Sequence, residues 1–349
     1  MLSKEDLNRA AATISFVTAK ATKHILKYGA ANQLTDILNG TPSRQSGVKF
    51  EGEERVKVIR DYLSQAGVYL NNPAYGIGEM DRGAFETGFS AMLAAYYRAG
   101  NCGENSAVAF CLLEQLAHAS PLKDWLLANN VSLQYWRLAT TGDHSFCVIR
   151  LECVDTATPM EIDLGPNAME IDDERPIVIA VQSDPIICDP WAKEKHAIDV
   201  DNFFMNNQRE IFSLASSTLD ALQSSLSEKF RLNPETGRSL NLMELSFNVF
   251  CSLVTSDNKN PSTYLKNKKA IAGAPRAPTG DEWHTLHPAR DERALLTFEE
   301  ENLNFDAVPG QKQFAITLYE NLIRYHRHVY SVLINYVAHG SLFYPYAIN

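Results

Sequence analysis

Apolar residues in the first hundred positions recur at the three- and four-residue spacing of helices. Ser3 is a suitable N-cap for a first helix, whose apolar face repeats at Leu7, Ala11, Ile14, Val17 and Ala21. This spacing predicts a helix over about the first 40 residues. Further helices are predicted over 53–66 and about 84–98.

A fourth helix is predicted to begin at Cys102 and to continue to about residue 118. Its residues 107–113 are apolar on nearly every face, and that pattern is typical of a buried helix. We therefore expect this helix at the centre of the core.

The texture changes to strands after residue 131. Short runs rich in β-branched and aromatic residues occur at 132–138, 145–153, 160–164, 177–181 and 185–188, and clusters of Gly, Asp, Pro and Thr separate them. Neighbouring strands that follow a buried helix predict an α+β fold, with an antiparallel sheet packed on the Cys102 helix.

After about residue 199 the chain returns to helical spacing. One stripe runs from Ile211 to Leu226, an apolar run covers 242–254, and a last helix is predicted over 313–338. In that helix His326 and His328 lie among charged residues, a pattern typical of a solvated face. We expect a catalytic domain over 1–200 and a mainly helical region over 201–349, as a separate domain, a lid or a surface for a protein partner.

The charge balance narrows the classes of partner. The 349 residues include 32 Lys and Arg against 42 Asp and Glu, a net charge of −10, which repels a phosphate backbone and disfavours nucleic acid. The first residues are charged and no apolar stretch approaches the ~20 residues of a membrane helix, so we expect a soluble chain without a cleaved signal.

The six cysteines show no paired spacing, which favours free thiols in a reducing compartment. No cofactor is expected. Glu282, His284 and His287 lie in a loop-rich stretch with no support for a metal site, so we expect no metal either.

Three short segments carry the candidate chemistry. Gly100-Asn101-Cys102-Gly103-Glu104 lies where a loop meets a helix, Gly142-Asp143-His144-Ser145 begins a strand, and Cys188-Asp189-Pro190-Trp191 ends one. A cysteine at a helix N-terminus meets the positive end of the helix dipole, which favours the nucleophilic thiolate. A histidine can stabilise that thiolate and protonate the leaving amine, while a carboxylate orients the ring. This order of residues predicts Cys102 as nucleophile, His144 as acid and base, and Asp189 as orienting acid.

The surroundings of the cysteine suggest further roles. The N–H groups of Cys102 and Gly103 are placed to hold an oxyanion, and Gly100 and Gly103 leave room for a substrate backbone. Asn101 and Trp191 are weaker candidates for oxyanion or substrate contact. Asp163 is a rival orienting acid, although the Pro-Trp context favours Asp189.

These three motifs resemble the transglutaminase-like branch of the papain-like cysteine enzymes, especially secreted bacterial effectors and toxins. The resemblance covers about residues 84–195. It implies a papain-like core, and a substrate amide on a host protein, in the host cytosol. Papain-type proteases place a glutamine ahead of the cysteine, where this chain has Tyr96 and Tyr97.

The resemblance leaves the reaction open. Glutamine deamidation and transglutamination are the leading readings, and proteolysis by the same triad is the alternative. A small-molecule acyltransferase is disfavoured because the chain has no cofactor signature. A reading of another class is a binding module with a vestigial triad.

Overall fold

The computed structural model describes residues 2–26, 28–30, 51–70, 79–140, 144–155, 179–191, 211–215, 240–256 and 310–339, together with positions 224, 226, 231 and 232. Within them the fold is α+β, with seven helices and one antiparallel sheet of five strands. The helices are α1 (Lys4–Ile25), α2 (Glu51–Leu70), α3 (Glu79–Tyr97), α4 (Cys102–His118), α5 (Leu122–Ala128), α6 (Leu242–Ser256) and α7 (Gln311–His339). The strands are β1 (Val131–Thr140), β2 (Ser145–Asp155), β3 (Ile179–Gln182), β4 (Ile186–Cys188) and β5 (Ile211–Ala215).

The first helix begins where its cap predicts. Ser3 Oγ accepts from the Asp6 backbone N–H at 3.1 Å, and Asp6 Oδ2 accepts from the Ser3 N–H at 3.1 Å, which forms a capping box. The helix ends at Ile25, earlier than predicted, and residues 31–50 lie outside the described part of the chain. Helices α2 and α3 contain nearly all of the two ranges predicted for them, and α5 was not predicted.

Helix α4 begins at Cys102, as predicted, and occupies the centre of the core. It packs against α1 and α3 on its helical sides and against β1 and β2 of the sheet. Its residues 107–113 are completely buried. A helix that is apolar all round needs partners on every side, and these four elements supply them.

The sheet places its strands in the order β3-β2-β1-β5, and β4 pairs with β2 beyond the end of β3. All pairs are antiparallel. Between β3 and β4, Ser183 continues the edge by bonding both ways to Leu151: its N–H donates to the Leu151 carbonyl at 2.8 Å, and its Oγ accepts from the Leu151 N–H at 2.9 Å. One edge of β2 thus carries two short strands, and the second of them leads to Asp189.

Strand β5 corrects the helix predicted from Ile211. Residues 211–215 pair with 136–140 of β1, so the prediction was wrong there. The sequence of β5, four apolar residues and Ser213, is too short to distinguish helical spacing from an extended run, and the open edge of β1 offers hydrogen bonds that an isolated helical turn lacks. The predicted strand at 160–164 lies outside the described residues.

The two C-terminal helices share one core with the N-terminal helices. Helix α6 packs on α3, and α7 packs on α1. Their apolar residues belong to the same buried cluster as those of α4. The division at residue 200 stays a prediction from the sequence.

His326 of α7 is 2% exposed, so its assignment to a solvated face was wrong; α7 turns this side towards α1. None of the helices in the described ranges is long and apolar enough to cross a membrane.

The packing of α6 on α3 depends on Gly88. A Cβ there would overlap Ser246 Oγ and the carbonyl oxygen of Leu242. We expect Gly88→Ala to lower the free energy of unfolding by about 1–3 kcal/mol, because overpacking outweighs the ~0.5–1 kcal/mol that alanine gains in a helix. Urea unfolding monitored by circular dichroism measures the change.

Gly83 of the same helix is the matched control. Apart from the helix's own backbone and the adjacent residues, no atom of the described residues lies within 4 Å of the Cβ that an alanine would add there. Gly83→Ala should therefore stabilise the protein by about 0.5–1 kcal/mol. Equal effects of the two substitutions would contradict the close approach of α6.

Candidate active site

Cys102 is the first residue of α4, and the loop before it is held rigidly. The first helical bond runs from the Asn105 N–H to the Asn101 carbonyl at 2.9 Å, so Cys102 and Gly103 lie in the turn ahead of the ladder. Asn105 Nδ2 donates to the carbonyls of Gly100 and Asn101 at 2.8 and 2.9 Å. Glu104 Oε2 accepts from the Asn101 N–H at 2.8 Å, completing the fixation of the N-cap.

Gly100 serves the fold rather than substrate access. An added Cβ would lie 2.5 Å from Glu104 Cβ and 3.4 Å from Leu26 Cδ1. The expected role of Gly100 in leaving room for substrate is therefore replaced by a packing role. At Gly103, among the residues that the structure describes, the same construction meets only Arg137 Nη2, at 3.9 Å, which is an ordinary van der Waals contact.

The sheet register brings His144 and Asp189 together. Cys147 pairs with Cys188, so the next residue, Asp189, falls beside Phe146 and within reach of His144. His144 Nε2 lies 2.7 Å from Asp189 Oδ2. Because Nε2 faces the carboxylate, Nδ1 is the ring nitrogen left for the thiol.

The second carboxylate oxygen fixes Asp189 itself. Asp189 Oδ1 accepts from the Trp191 backbone N–H at 3.1 Å, across Pro190. The Trp191 ring lies 5.0 Å from the His144 ring, measured between centroids, and the Phe146 ring lies at 5.7 Å. The Asp-Pro-Trp turn therefore orients the acid and covers the imidazole with one motif.

The histidine is held in its charged form. Burial disfavours the charge, but hydrogen bonds to Asp189 and to Cys102 outweigh it and raise the pKa of His144 from 6.5 to about 9. The imidazole thus interacts with both the acid and the thiol. Cys102 itself is 9% exposed.

All six cysteines are free thiols, and burial disfavours ionisation to the thiolate at three of them. Burial raises the pKa of Cys111 and Cys147, and raises that of Cys188 to about 12. Cys147 and Cys188 donate instead to the main-chain carbonyls of Ser106 and Ser15, at 3.3 and 3.4 Å. These thiols serve packing, as the sequence predicted for Cys111 and Cys147.

Arg137 of β1 was missed by the sequence reasoning. Its guanidinium reaches the first turn of α4, where Nε donates to Ser106 Oγ at 3.0 Å and Nη2 to the Gly103 carbonyl at 3.2 Å. The sequence did contain a sign of its position. Alternate residues of a strand lie on the same face, so Leu133, Tyr135 and Arg137 share the face of β1 that lies against α4. A cation on an inward strand position calls for a specific partner.

The tyrosines ahead of the cysteine do not replace the glutamine of papain-type enzymes. Tyr96 and Tyr97 are buried in a cluster with Tyr62, and burial raises the pKa of Tyr96 to about 12. The Tyr97 carbonyl is held by Arg55 at 2.9 Å. Both rings therefore serve packing.

Several candidates fall outside the described residues: Asp163, Glu282, His284 and His287. Within the described ranges, no three His, Cys, Asp or Glu side chains are grouped so that they could hold a metal ion. The residues brought together are Cys102, His144, Asp189 and Trp191, with Asn101 and Gly103 in the adjoining turn.

The raised pKa of His144 predicts a specific titration. The imidazolium form should persist through neutral pH and disappear as the pH rises through about 9, and the stability that this charge contributes should be lost over the same rise. Asp189→Ala should lower the midpoint by at least about one unit, because the carboxylate favours the charged ring. Histidine NMR titration measures both midpoints, with His144→Gln used for assignment. A wild-type midpoint near 6.5 would contradict the described geometry.

No protein family, no curated protein and no solved structure matches this chain. The class of site therefore rests on geometry: a thiol at a helix N-terminus, an imidazole beside it, and a carboxylate on the far ring nitrogen. In such an arrangement the thiolate can attack a carbonyl carbon. The imidazolium can protonate the leaving group, and the neutral imidazole can then accept a proton from the second, attacking molecule.

Proposed function

We propose that this protein is a cysteine-dependent acyltransferase or hydrolase that acts on glutamine side-chain amides of a protein substrate. The observation that carries the proposal is the 2.7 Å contact between His144 Nε2 and Asp189 Oδ2, which leaves Nδ1 directed to Cys102. A ring held from one side by an acid and from the other by a thiol is poised to exchange protons with the thiol.

The first half-reaction makes a thioester. The Cys102 thiolate attacks the carbonyl carbon of the glutamine amide, and a carbon–sulfur bond forms while the carbonyl electrons move to oxygen. When the tetrahedral intermediate collapses, the carbon–nitrogen bond breaks and His144 gives its proton to the departing ammonia. The raised pKa of His144 keeps this proton available at neutral pH.

The intermediate places negative charge on oxygen beside the first turn of α4. Main-chain N–H groups of this turn are not used by the helix ladder, and they form the positive end of the helix dipole. Within the described part of the chain, no atom comes closer than 3.9 Å to the Cβ position of Gly103, and we propose that the substrate occupies this side of the turn. We assign the oxyanion to the N–H groups of Cys102 and Gly103, and the buried Asn101 to the support of the loop.

The second half-reaction resolves the thioester. Water or a lysine amine attacks the acyl carbon, neutral His144 accepts the proton of the attacking group, and the carbon–sulfur bond breaks. Water gives glutamate and completes a deamidation, whereas an amine gives an isopeptide bond and completes a cross-link. Cys102 is regenerated in both cases.

The resemblance to transglutaminase-like members of the papain-like superfamily supports the choice of an amide substrate. The buried helix that starts at the cysteine, packed on an antiparallel sheet that supplies the histidine and the acid, fits the core that this resemblance implies. By the same resemblance we propose a bacterial effector secreted to the host cytosol and a host protein as substrate. The six free thiols fit a reducing cytosol.

The test is to incubate the purified chain with mammalian cell lysate and to identify changed peptides by mass spectrometry. Deamidated glutamines, or glutamine–lysine cross-links, present with wild type and absent with Cys102→Ala, support the proposal. New peptide termini that depend on Cys102 would assign the protein to the cysteine proteases instead. Identical peptides from wild type and Cys102→Ala would favour a binding module with a vestigial triad.

A further inference from the structure

The guanidinium of Arg137 donates two hydrogen bonds to the first turn of α4. Nε donates to Ser106 Oγ at 3.0 Å and Nη2 to the Gly103 carbonyl at 3.2 Å, while Ser106 Oγ donates to the same carbonyl at 2.9 Å. The guanidinium, the hydroxyl and the carbonyl therefore close a ring of hydrogen bonds beneath Cys102. Nη1 adds a bond to Thr87 Oγ1 of α3 at 3.1 Å.

These hydrogen bonds connect the cysteine to the strand that follows the histidine. In the sheet, Arg137 pairs with Cys147, whose thiol donates to the Ser106 carbonyl at 3.3 Å. Adjacent positions of β1 and β2 thus hold the same turn of α4, and His144 lies three residues before Cys147. We infer that the hydrogen bonds of Arg137 and Cys147 to this turn set the distance between Cys102 and His144.

The charge of Arg137 is also placed to matter. Its three hydrogen bonds go to neutral oxygens, so none of them neutralises the cation. Burial lowers the pKa of Arg137, and negative charge on Cys147, Cys111, Glu104 and, to the smallest extent, Cys102 raises it. A cation in such surroundings stabilises an anion more strongly than one in water does.

We propose that Arg137 is the positioning residue of this site: its guanidinium fixes the first turn of α4, and its buried positive charge stabilises the thiolate of Cys102. The inference rests on the proposed use of Cys102 as nucleophile. It adds a cation that contacts the first turn of the helix through Gly103 and Ser106.

Ionisable groups come from each element that surrounds this turn: Arg60 of α2, Glu104 and Cys111 of α4, Cys147 of β2, Cys188 of β4, and His144 and Asp189 of the adjoining loops. Loss of the Arg137 cation raises the pKa of Cys111 and Cys147 further, so both of these thiols stay neutral. The raised pKa values of the three buried thiols keep them neutral near pH 7. A shift in the ionisation of Cys102 on replacing Arg137 therefore reports the removed cation.

The experiment measures the rate of iodoacetamide alkylation of Cys102 against pH in the full chain, with the modified peptide identified by mass spectrometry. In Arg137→Met we expect the pH midpoint of alkylation to rise by about one unit and the rate at pH 7 to fall about tenfold. Arg137→Lys keeps the charge but loses the paired hydrogen bonds of the guanidinium, so its midpoint should stay close to that of wild type. A merely structural role would leave the midpoint unchanged in all variants.

Arg150→Met is the matched control. Arg150 lies on β2 and pairs with Gln134, so it is on the opposite face of the sheet, with its guanidinium 5.8 Å from the Trp136 ring centroid. Its loss should leave the midpoint unchanged. If Arg137→Met does not fold, Arg137→Gln repeats the test with a neutral polar side chain.

Two results would overturn the inference. One is a folded Arg137→Met or Arg137→Gln with the wild-type midpoint, and the other is an equal shift in Arg137→Lys and the neutral variants. Failure of the proposed function has a different signature, because it would show as the absence of selective Cys102 alkylation in the wild-type chain.

Discussion

Cys102→Ala is expected to abolish the fast alkylation of this protein by iodoacetamide at neutral pH. The imidazolium of His144 favours the thiolate of Cys102, whereas an ordinary thiol is only a few per cent ionised at pH 7. After allowing for the weaker nucleophilicity of a stabilised thiolate, Cys102 should react about tenfold faster than the other thiols. Peptide mapping after a short pulse of reagent measures the labelling of each cysteine.

Cys251 is the control for exposure. It is 8% exposed and Cys102 is 9% exposed, so the two thiols differ in their neighbours rather than in access. Cys251→Ala should leave the fast labelling intact, and His144→Ala should slow it to the rate of the remaining thiols. Fast labelling that survives in Cys102→Ala would show that the nucleophile has been assigned to the wrong residue.

Asp189→Ala is expected to lower glutamine modification by about a hundredfold or more, within the range that general acid–base groups contribute. The substitution removes the acceptor of His144 Nε2 and also the acceptor of the Trp191 N–H, so the ring loses both its orientation and its cover. Initial rates of deamidated or cross-linked product, measured on a substrate peptide found in the lysate experiment, test this expectation.

Two further variants make the test specific. Asp189→Asn keeps a hydrogen-bond acceptor but removes the charge, so we expect a smaller loss of about tenfold together with a lower pKa of His144. Asp163→Ala addresses the rival carboxylate and should retain activity. Loss of activity in Asp163→Ala with an unaffected Asp189→Ala would transfer the orienting role to Asp163.

The helices show how far periodicity reaches. Helix α4 was predicted at its first residue and as the buried centre, because seven consecutive small and apolar side chains at 107–113 exclude a surface position. The strand at 211–215 was predicted as the start of a helical stripe that runs to Leu226, because Ile211, Leu214 and Ala215 have helical spacing; pairing with β1 outweighs that local spacing. Long elements can therefore be predicted from their apolar spacing. The short edge strand β5 could not, because it forms only through its hydrogen bonds with β1.

The active-site candidates followed the same division. Cys102, His144 and Asp189 were chosen because each residue type stood at the end of an element, beside residues that mark such ends. The preference for Asp189 over Asp163 rested on the Pro-Trp context alone. The contact with His144 depends on the pairing of Cys147 with Cys188, and strand register is a long-range property.

Arg137 and Gly100 mark the limit of local reasoning. The alternation of Leu133, Tyr135 and Arg137 places this arginine on the inward face of a strand, but it does not identify its partners, which lie 31 and 34 residues away on α4. Gly100 was predicted to leave room for a substrate backbone. In the structure, the space that a Cβ of residue 100 would fill is occupied by the side chain of Glu104. Both roles depend on which atoms the fold brings within a few ångströms.

By itself, the sequence determined the α+β class, the buried helix that begins at Cys102, and the residue types able to form a nucleophilic triad, because apolar spacing and capping act over a few residues. Only the tertiary structure decided which carboxylate faces His144 Nε2, which ring nitrogen is left for the thiol, and which cation lies beneath the helix. Those choices depend on strand register and on the close packing of distant side chains, which no short stretch of sequence contains.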